Sequence, residues 1–111
     1  MGSIVVSVDS LRSLGFASIS GTYTAVGIPF AHPMRVIKIV NGCDTDMIIS
    51  FDAVNDNDII PASSFALYDI SANEAGTDGW FFRTGTQVYV KQVSAPASGT
   101  VYVTTMYGQG E

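Results

Sequence analysis

Charge is scarce in this sequence, and so are the residues that usually carry chemistry. Of its 111 residues, 14% are Asp, Glu, Lys or Arg, and five cations stand against ten acids for a net charge of −5. An ordinary globular chain is about a quarter charged. Affinity for a phosphate backbone comes from clustered Lys and Arg that release counterions. Arg12, Arg35, Lys38, Arg83 and Lys91 are scattered, with no two adjacent, so direct nucleic-acid binding is not expected. Cys43 is the single cysteine, which excludes an intramolecular disulfide and a thiolate zinc cage. His32 is the single histidine and lies between Ala31 and Pro33, a loop setting that suits an exposed or satisfied ring better than a ligand, a catalytic base for Cys43 or a pH switch.

Glutamate occurs only at Glu74 and Glu111. A glycosidase needs two placed carboxylates, one raised in pKa by an apolar pocket, and the Asp residues here fall in turn-like positions where water keeps them ionised. No nucleophile elbow, phosphate loop, dinucleotide fingerprint or paired zinc histidine is present. The glycines at Gly85 and at Gly108 and Gly110 lack the lysine or helix start that phosphate binding requires. The expectation is a protein that is not an enzyme. A basic-then-apolar leader and an apolar run near the ~18 residues of a membrane span are also missing, which reads as no signal peptide and no membrane segment.

What the sequence does hold is strand pattern. Apolar residues make up 47%, enough to exclude compositional disorder, and a chain of this size buries roughly 65% of its unfolded surface without a staple. Ile4 to Val8 is a β-branched run, followed around Leu11 and Leu14 by a turn or one helical turn. Ala17 to Val26 alternates hydroxyls (Ser18, Ser20, Thr22, Thr24) with mostly apolar residues, the period of a half-buried strand. Gly27, Pro29 and Pro33 make the next link irregular. Met34 to Val40 and Met47 to Phe51 flank Asn41-Gly42 and read as a hairpin whose connection runs Asn41 to Asp46. Val36, Ile37, Ile39 and Val40 put apolar groups on both faces, so this strand is expected to be central and covered on both sides. Ser64 to Ile70 is another strand, with Phe65 and Leu67 on one face. An acidic, glycine-containing loop over Asn73 to Gly79 leads to Trp80-Phe81-Phe82, expected to anchor it on the core. Thr86 to Val93 and Thr100 to Tyr107 follow, joined through Ser94 to Gly99 as a hairpin.

Seven to eight short strands with no helical pattern between them predict one all-β domain over residues 1–111, an antiparallel β-sandwich or partly open barrel, in which 1–16 form an N-terminal arm or edge strand. Low charge and hydroxyl-rich faces read either as surface given to contacts or as an ordinary extracellular-style β domain.

Two features stand out as candidate sites. Asp52, Asp56 and Asp58, with Asn55 and Asn57, offer hard oxygen ligands for calcium, or a recognition surface, or simply side chains capping their own backbone in Asx turns. The spacing lacks the turn glycine and distal Glu of the twelve-residue calcium loop. Tyr89 alternates with Val88 and Val90, and Tyr102 with Val101 and Val103, so both rings stand opposite the core-facing valines. Tyr68 is placed with them. Such a face reads as cross-strand packing, as a protein contact or as a carbohydrate platform.

Several stretches carry a resemblance: Arg35–Gly42 (RVIKIVNG), Ile49–Asp58 (ISFDAVNDND), Ile60–Asp69 (IPASSFALYD), Gly85–Lys91 (GTQVYVK) and Ser98–Val103 (SGTVYV). From Met34 to Tyr107 the chain resembles the small virion-associated structural β proteins of tailed bacteriophages, of the head-decoration or head–tail neck type. It departs from their pattern where Pro61-Ala62-Ser63-Ser64 replaces a Pro-Ala-Gly-Ser form. The resemblance implies a non-enzymatic virion protein, assembled in the bacterial host cytoplasm and present as a homo-oligomer or in many symmetric copies. Its implied partners are capsid, portal or neck proteins, with no cofactor. Arg35, Lys38 and Lys91 would then face acidic partner groups, and the Asp52 to Asp58 loop a basic one. The alternative is a carbohydrate-binding β-sandwich module using exposed tyrosines.

Overall fold

The computed structural model describes residues 4–69 and 82–110. Over these, nine strands form two antiparallel sheets stacked as a sandwich, not closed into a barrel. The strands are β1 (Ile4–Val8), β2 (Arg12–Gly15), β3 (Thr24–Ala25), β4 (Val36–Asn41), β5 (Met47–Ser50), β6 (Asp58–Ile60), β7 (Ser64–Asp69), β8 (Tyr89–Gln92) and β9 (Thr100–Gly110). Sheet A runs β1-β9-β4-β7, with β2 also on β9, and sheet B runs β3-β8-β5-β6. Alternation builds the core: Ile37, Ile39, Val101 and Val103 point in from sheet A and Met47, Ile49, Val88 and Val90 from the β5–β8 side, all at most 1% exposed. The loop after Asn73 and the residues Trp80 and Phe81 lie outside the described residues; Phe82 packs on the core.

Neither expected hairpin forms. β4 and β5 are consecutive yet belong to different sheets, as do β8 and β9, so both connections cross the sandwich. The Asn41-Gly42 signal reports tightness of another kind. A Cβ on Gly42 would lie 2.6 Å from the Thr100 carbonyl oxygen, and one on Gly99, at φ 103, would lie 2.1 Å from the Gly42 carbonyl. The two crossings therefore touch backbone to backbone. Asn41, 1% exposed, sews them down: its amide donates to the carbonyls of Thr45 (2.9 Å), Ile60 (2.9 Å) and Pro61 (3.2 Å), and its oxygen accepts from the Cys43 N–H (3.0 Å). Asp44 accepts from the Ala97 N–H at 2.9 Å, tying one crossing to the other.

The strand expected over Ala17 to Val26 reduces to β3. Phe16–Ser18 is a 3-10 turn, and the Ser20 hydroxyl accepts from the Thr22 N–H at 3.2 Å. Such local bonding competes with a sheet ladder. Conversely, the turn expected near Leu11 is β2, paired with β9 from Arg12↔Val103 to Gly15↔Thr100. Between Val8↔Met106 and Arg12↔Val103, residues 9–11 oppose only Thr104 and Thr105, one extra residue and hence a β-bulge.

The bulge turns Arg12 inward, where it is 4% exposed. Its guanidinium donates to the carbonyls of Ile28 (2.7 Å), Pro29 (3.2 Å) and Ser10 (3.3 Å), to Thr105 Oγ1 (3.3 Å) and to Asp9 (3.1 Å), above the Phe30 ring. A Cβ on Gly27, at φ 71, would lie 2.7 Å from this side chain. Hydrogen bonding to the Ser10 N–H, together with Arg12, holds the Asp9 carboxyl below its usual range despite desolvation.

Candidate interaction surfaces

The outer face of sheet A gathers five of the exposed large apolar side chains among the described residues. The register lays it out in rows: Phe65, Val40 and Tyr102; then Leu67, Lys38 and Thr104; then Asp69, Val36, Met106 and Val8. Val6 continues it along β1. Val6 is 67% exposed, Val8 62%, Phe65 60%, Leu67 54% and Tyr102 39%. The largest contiguous apolar patch on a monomer is typically about 300–600 Å² and is often functional. Lys38 is the cation near its centre, 5.7 Å from the Phe65 ring. Among the described residues the outer side of β4, expected to be covered by a loop or a neighbouring subunit, is covered only in part: Ile37 and Ile39 are buried, while Val36 and Val40 are half-buried and Lys38 is exposed.

The three tyrosines do not share a surface. Tyr102 stands on the outer face of sheet A. Tyr89 belongs to sheet B, paired with Ser50 and Ala25. Tyr68 turns inward from β7, edge-on to Phe51 (5.8 Å) and Phe82 (6.3 Å). Its hydroxyl donates to Asp58, and burial, reinforced by that carboxylate, raises its pKa. Parity places each ring relative to its own strand, but sheet membership decides which rings meet.

The acidic loop is folded onto itself. Asp52 Oδ1 accepts from the Ser50 hydroxyl (2.8 Å) and the N–H groups of Val54 (2.9 Å) and Asn55 (2.8 Å), while its Oδ2 accepts from the Asn55 amide at 2.6 Å. The Asn55 and Val54 N–H groups hold its carboxyl well below the usual carboxylate range. Asn57 accepts from the Phe51 N–H at 2.9 Å. Asp56 reaches sheet B instead, accepting from the Tyr23 hydroxyl and pairing with Lys91 at 3.1 Å, and Lys91 lies 4.6 Å from the Tyr23 ring. Desolvation, then Asp56, pushes the Tyr23 pKa up to about 12. Asp58 turns toward Tyr68. The three carboxylates therefore serve three separate partners, and among the described residues no group of three or more His, Cys, Asp or Glu converges on a point that could hold an ion. Tyr23 escaped the sequence reading because nothing local links it to Asp56, 33 residues away.

The remaining reactive groups are held structurally. Cys43 is fully buried, and desolvation, helped by Asp44, raises its pKa. His32 stacks on Tyr107 at 3.9 Å. A cavity of about 250 Å³ beside the bulge is lined by Leu11, Ile28, Gly27 and the Asp9–Arg12 pair, whose charges already satisfy each other. Lys38 and Lys91 project from opposite sheets. Set against protein-family models, curated proteins and solved structures, the chain shows no significant match to any of them.

Proposed function

We propose that this chain is a non-enzymatic structural protein of a phage virion, which docks on capsid, portal or neck subunits through the outer face of sheet A. The observation that carries this reading is the apolar sheet face itself, with Phe65, Leu67, Tyr102, Val6 and Val8 exposed on one rigid surface. Aromatic and aliphatic groups around a single cation form the composition of a protein contact, in which burial supplies affinity and Lys38 selects a partner presenting an acid. The resemblance to virion-associated β proteins supplies the identity of the partner class. Ser63 adds a local point of support: it stands where that pattern has glycine, and its φ is 55, a conformation that glycine fits without strain.

Cryo-electron microscopy of particles carrying this protein tests the reading, alongside the double variant Phe65→Asp, Leu67→Asp. Both side chains are exposed, so the variant is expected to fold, with a cooperative thermal melt as the check. The expected result is density for the sandwich with β4, β7 and β9 against a capsid, portal or neck subunit, lost in the variant. Particles lacking the protein but unchanged in DNA content, heat resistance and infectivity would sink the idea. Glycan binding abolished by replacing Tyr89 or Tyr102 would replace it with the carbohydrate-binding alternative.

A further inference from the structure

Among the described residues, sheet A ends in a ribbon whose outer edge has no strand beside it. β4 pairs with β9 only as far as Val36↔Met106, so beyond it Tyr107–Gly110 and Ile4–Ser7 run as two strands. A two-stranded ribbon is marginal by itself. Natural edges are blunted by charge, proline, bulges or brevity. In sheet B the edge strands β3 and β6 have two and three residues; in sheet A, β7 carries the charge of Asp69 and the bulge interrupts the edge before β2. β1 reads IVVSV and β9 TVYVTTMYGQG, so the ribbon carries no charge at all in a chain with ten acids.

The direction of its backbone follows from the hydrogen bonds. The Gly42 N–H donates to the Thr100 carbonyl and the Asp9 N–H to the Thr105 carbonyl. Even-numbered residues of β9 therefore turn toward β4 and odd-numbered ones toward β1. Ser7↔Tyr107 and Val5↔Gln109 are then the pairs that exchange hydrogen bonds, and Ile4, Val6 and Val8 aim their N–H and C=O groups away from β9.

We propose that this edge receives β1 of a second copy, antiparallel, with Val6 opposite Val6 on the two-fold axis and Ile4 opposite Val8. The strand is its own complement, as an isologous interface requires: it is uncharged, and its outward groups meet the same groups running the other way. Elsewhere two copies of net charge −5 repel. Area argues in the same direction, in a step that rests on the docking reading above. Judged from their exposures, the five most open apolar side chains of the sheet A face offer on the order of 500 Å², short of the ~800 Å² that a standard interface takes from each partner. Joining two β1 edges makes one continuous sheet whose doubled face exceeds that threshold.

Cysteine substitution reads the register in the full-length chain. Facing Cα atoms in a hydrogen-bonded antiparallel pair lie about 5.5 Å apart, within disulfide reach. Val8, opposite Ile4, lies roughly 13 Å along the strand from its own counterpart. Mild oxidation of Val6→Cys is expected to give mostly covalent dimer, and Val8→Cys at least about tenfold less; the native Cys43 is buried. Val6→Pro removes an N–H that β9 does not use, and is expected to weaken dimerisation at least about tenfold in sedimentation velocity, with an unchanged thermal melt at concentrations where the parent chain is monomeric. A monomer at every concentration up to roughly 100 μM, or equal crosslinking at both positions, overturns the pairing. Crosslinking retained in Phe65→Asp, Leu67→Asp chains that no longer dock supports the strand pairing; if those chains still dock, the docking reading falls while the crosslink decides the pairing separately.

Discussion

The guanidinium of Arg12 is 4% exposed and holds three carbonyls, a threonine and a carboxylate at once. Removing it takes the donor from the buried Thr105 and from four part-buried acceptors at once. Arg12→Ala is expected to destabilise the fold by about 3 kcal/mol in urea unfolding, and Arg12→Lys to recover less than half, because a point charge cannot fill a planar fork. Ser63, by contrast, holds a left-handed φ of 55 that costs an L-residue roughly 1 kcal/mol; Ser63→Gly is expected to raise the melting temperature by a few degrees. Asp52 gives the fold an acid dependence. Its folded pKa lies below the unfolded value near 3.9, so its contribution is complete above that value and is lost as pH falls toward the folded one. Thermal melts from about pH 2 to pH 6 should show a shallower acid loss for Asp52→Asn, which keeps an acceptor but no titrating group.

At the scale of elements, the two crossings set the sharpest constraint. Gly99→Ala forces a Cβ to 2.1 Å from the Gly42 carbonyl at a φ of 103, whereas Gly21 has nothing within 4 Å and no positive φ. Gly99→Ala should therefore cost at least about 3 kcal/mol or prevent folding, while Gly21→Ala should be neutral to slightly stabilising, both read by denaturant titration. The same glycines mark where sequence reading stopped. β-Branched runs located β1 and β4, and period-two alternation located β7, β8 and β9, the last two because one face of each lies on the core. Neither pattern could assign β4 and β5 to different sheets, since Asn-Gly signals a tight place whether the neighbour is a returning strand or another loop. β2 stayed hidden because the buried partner of Leu14 is a charged residue, Arg12, whose polarity is satisfied by carbonyls far along the chain. The candidate face was half legible: the alternation of Phe65 and Leu67 and of Tyr102 was plain, but their meeting depends on β9 lying beside β4.

Over the whole molecule, β9 is the strand on which sheet A depends. It pairs with β4 on one side and with β1 and β2 on the other, and it supplies Val101 and Val103 to the core. A chain truncated before Thr100 is expected to lack cooperative thermal unfolding and to sediment as aggregate. Loss of Ile4–Val8 alone removes only one edge and should leave a cooperative melt a few degrees lower.

That dependence has a consequence in time. During synthesis, β1, β2, β4 and β7 all leave the ribosome before the strand that joins them, and at translation rates of roughly 5–20 residues per second they wait for seconds with apolar edges open. The order of strands in the chain thus delays sheet closure until Thr100–Gly110 emerges. In a cell making many copies at once, the interval before closure is when unfinished edges can pair with the wrong neighbour.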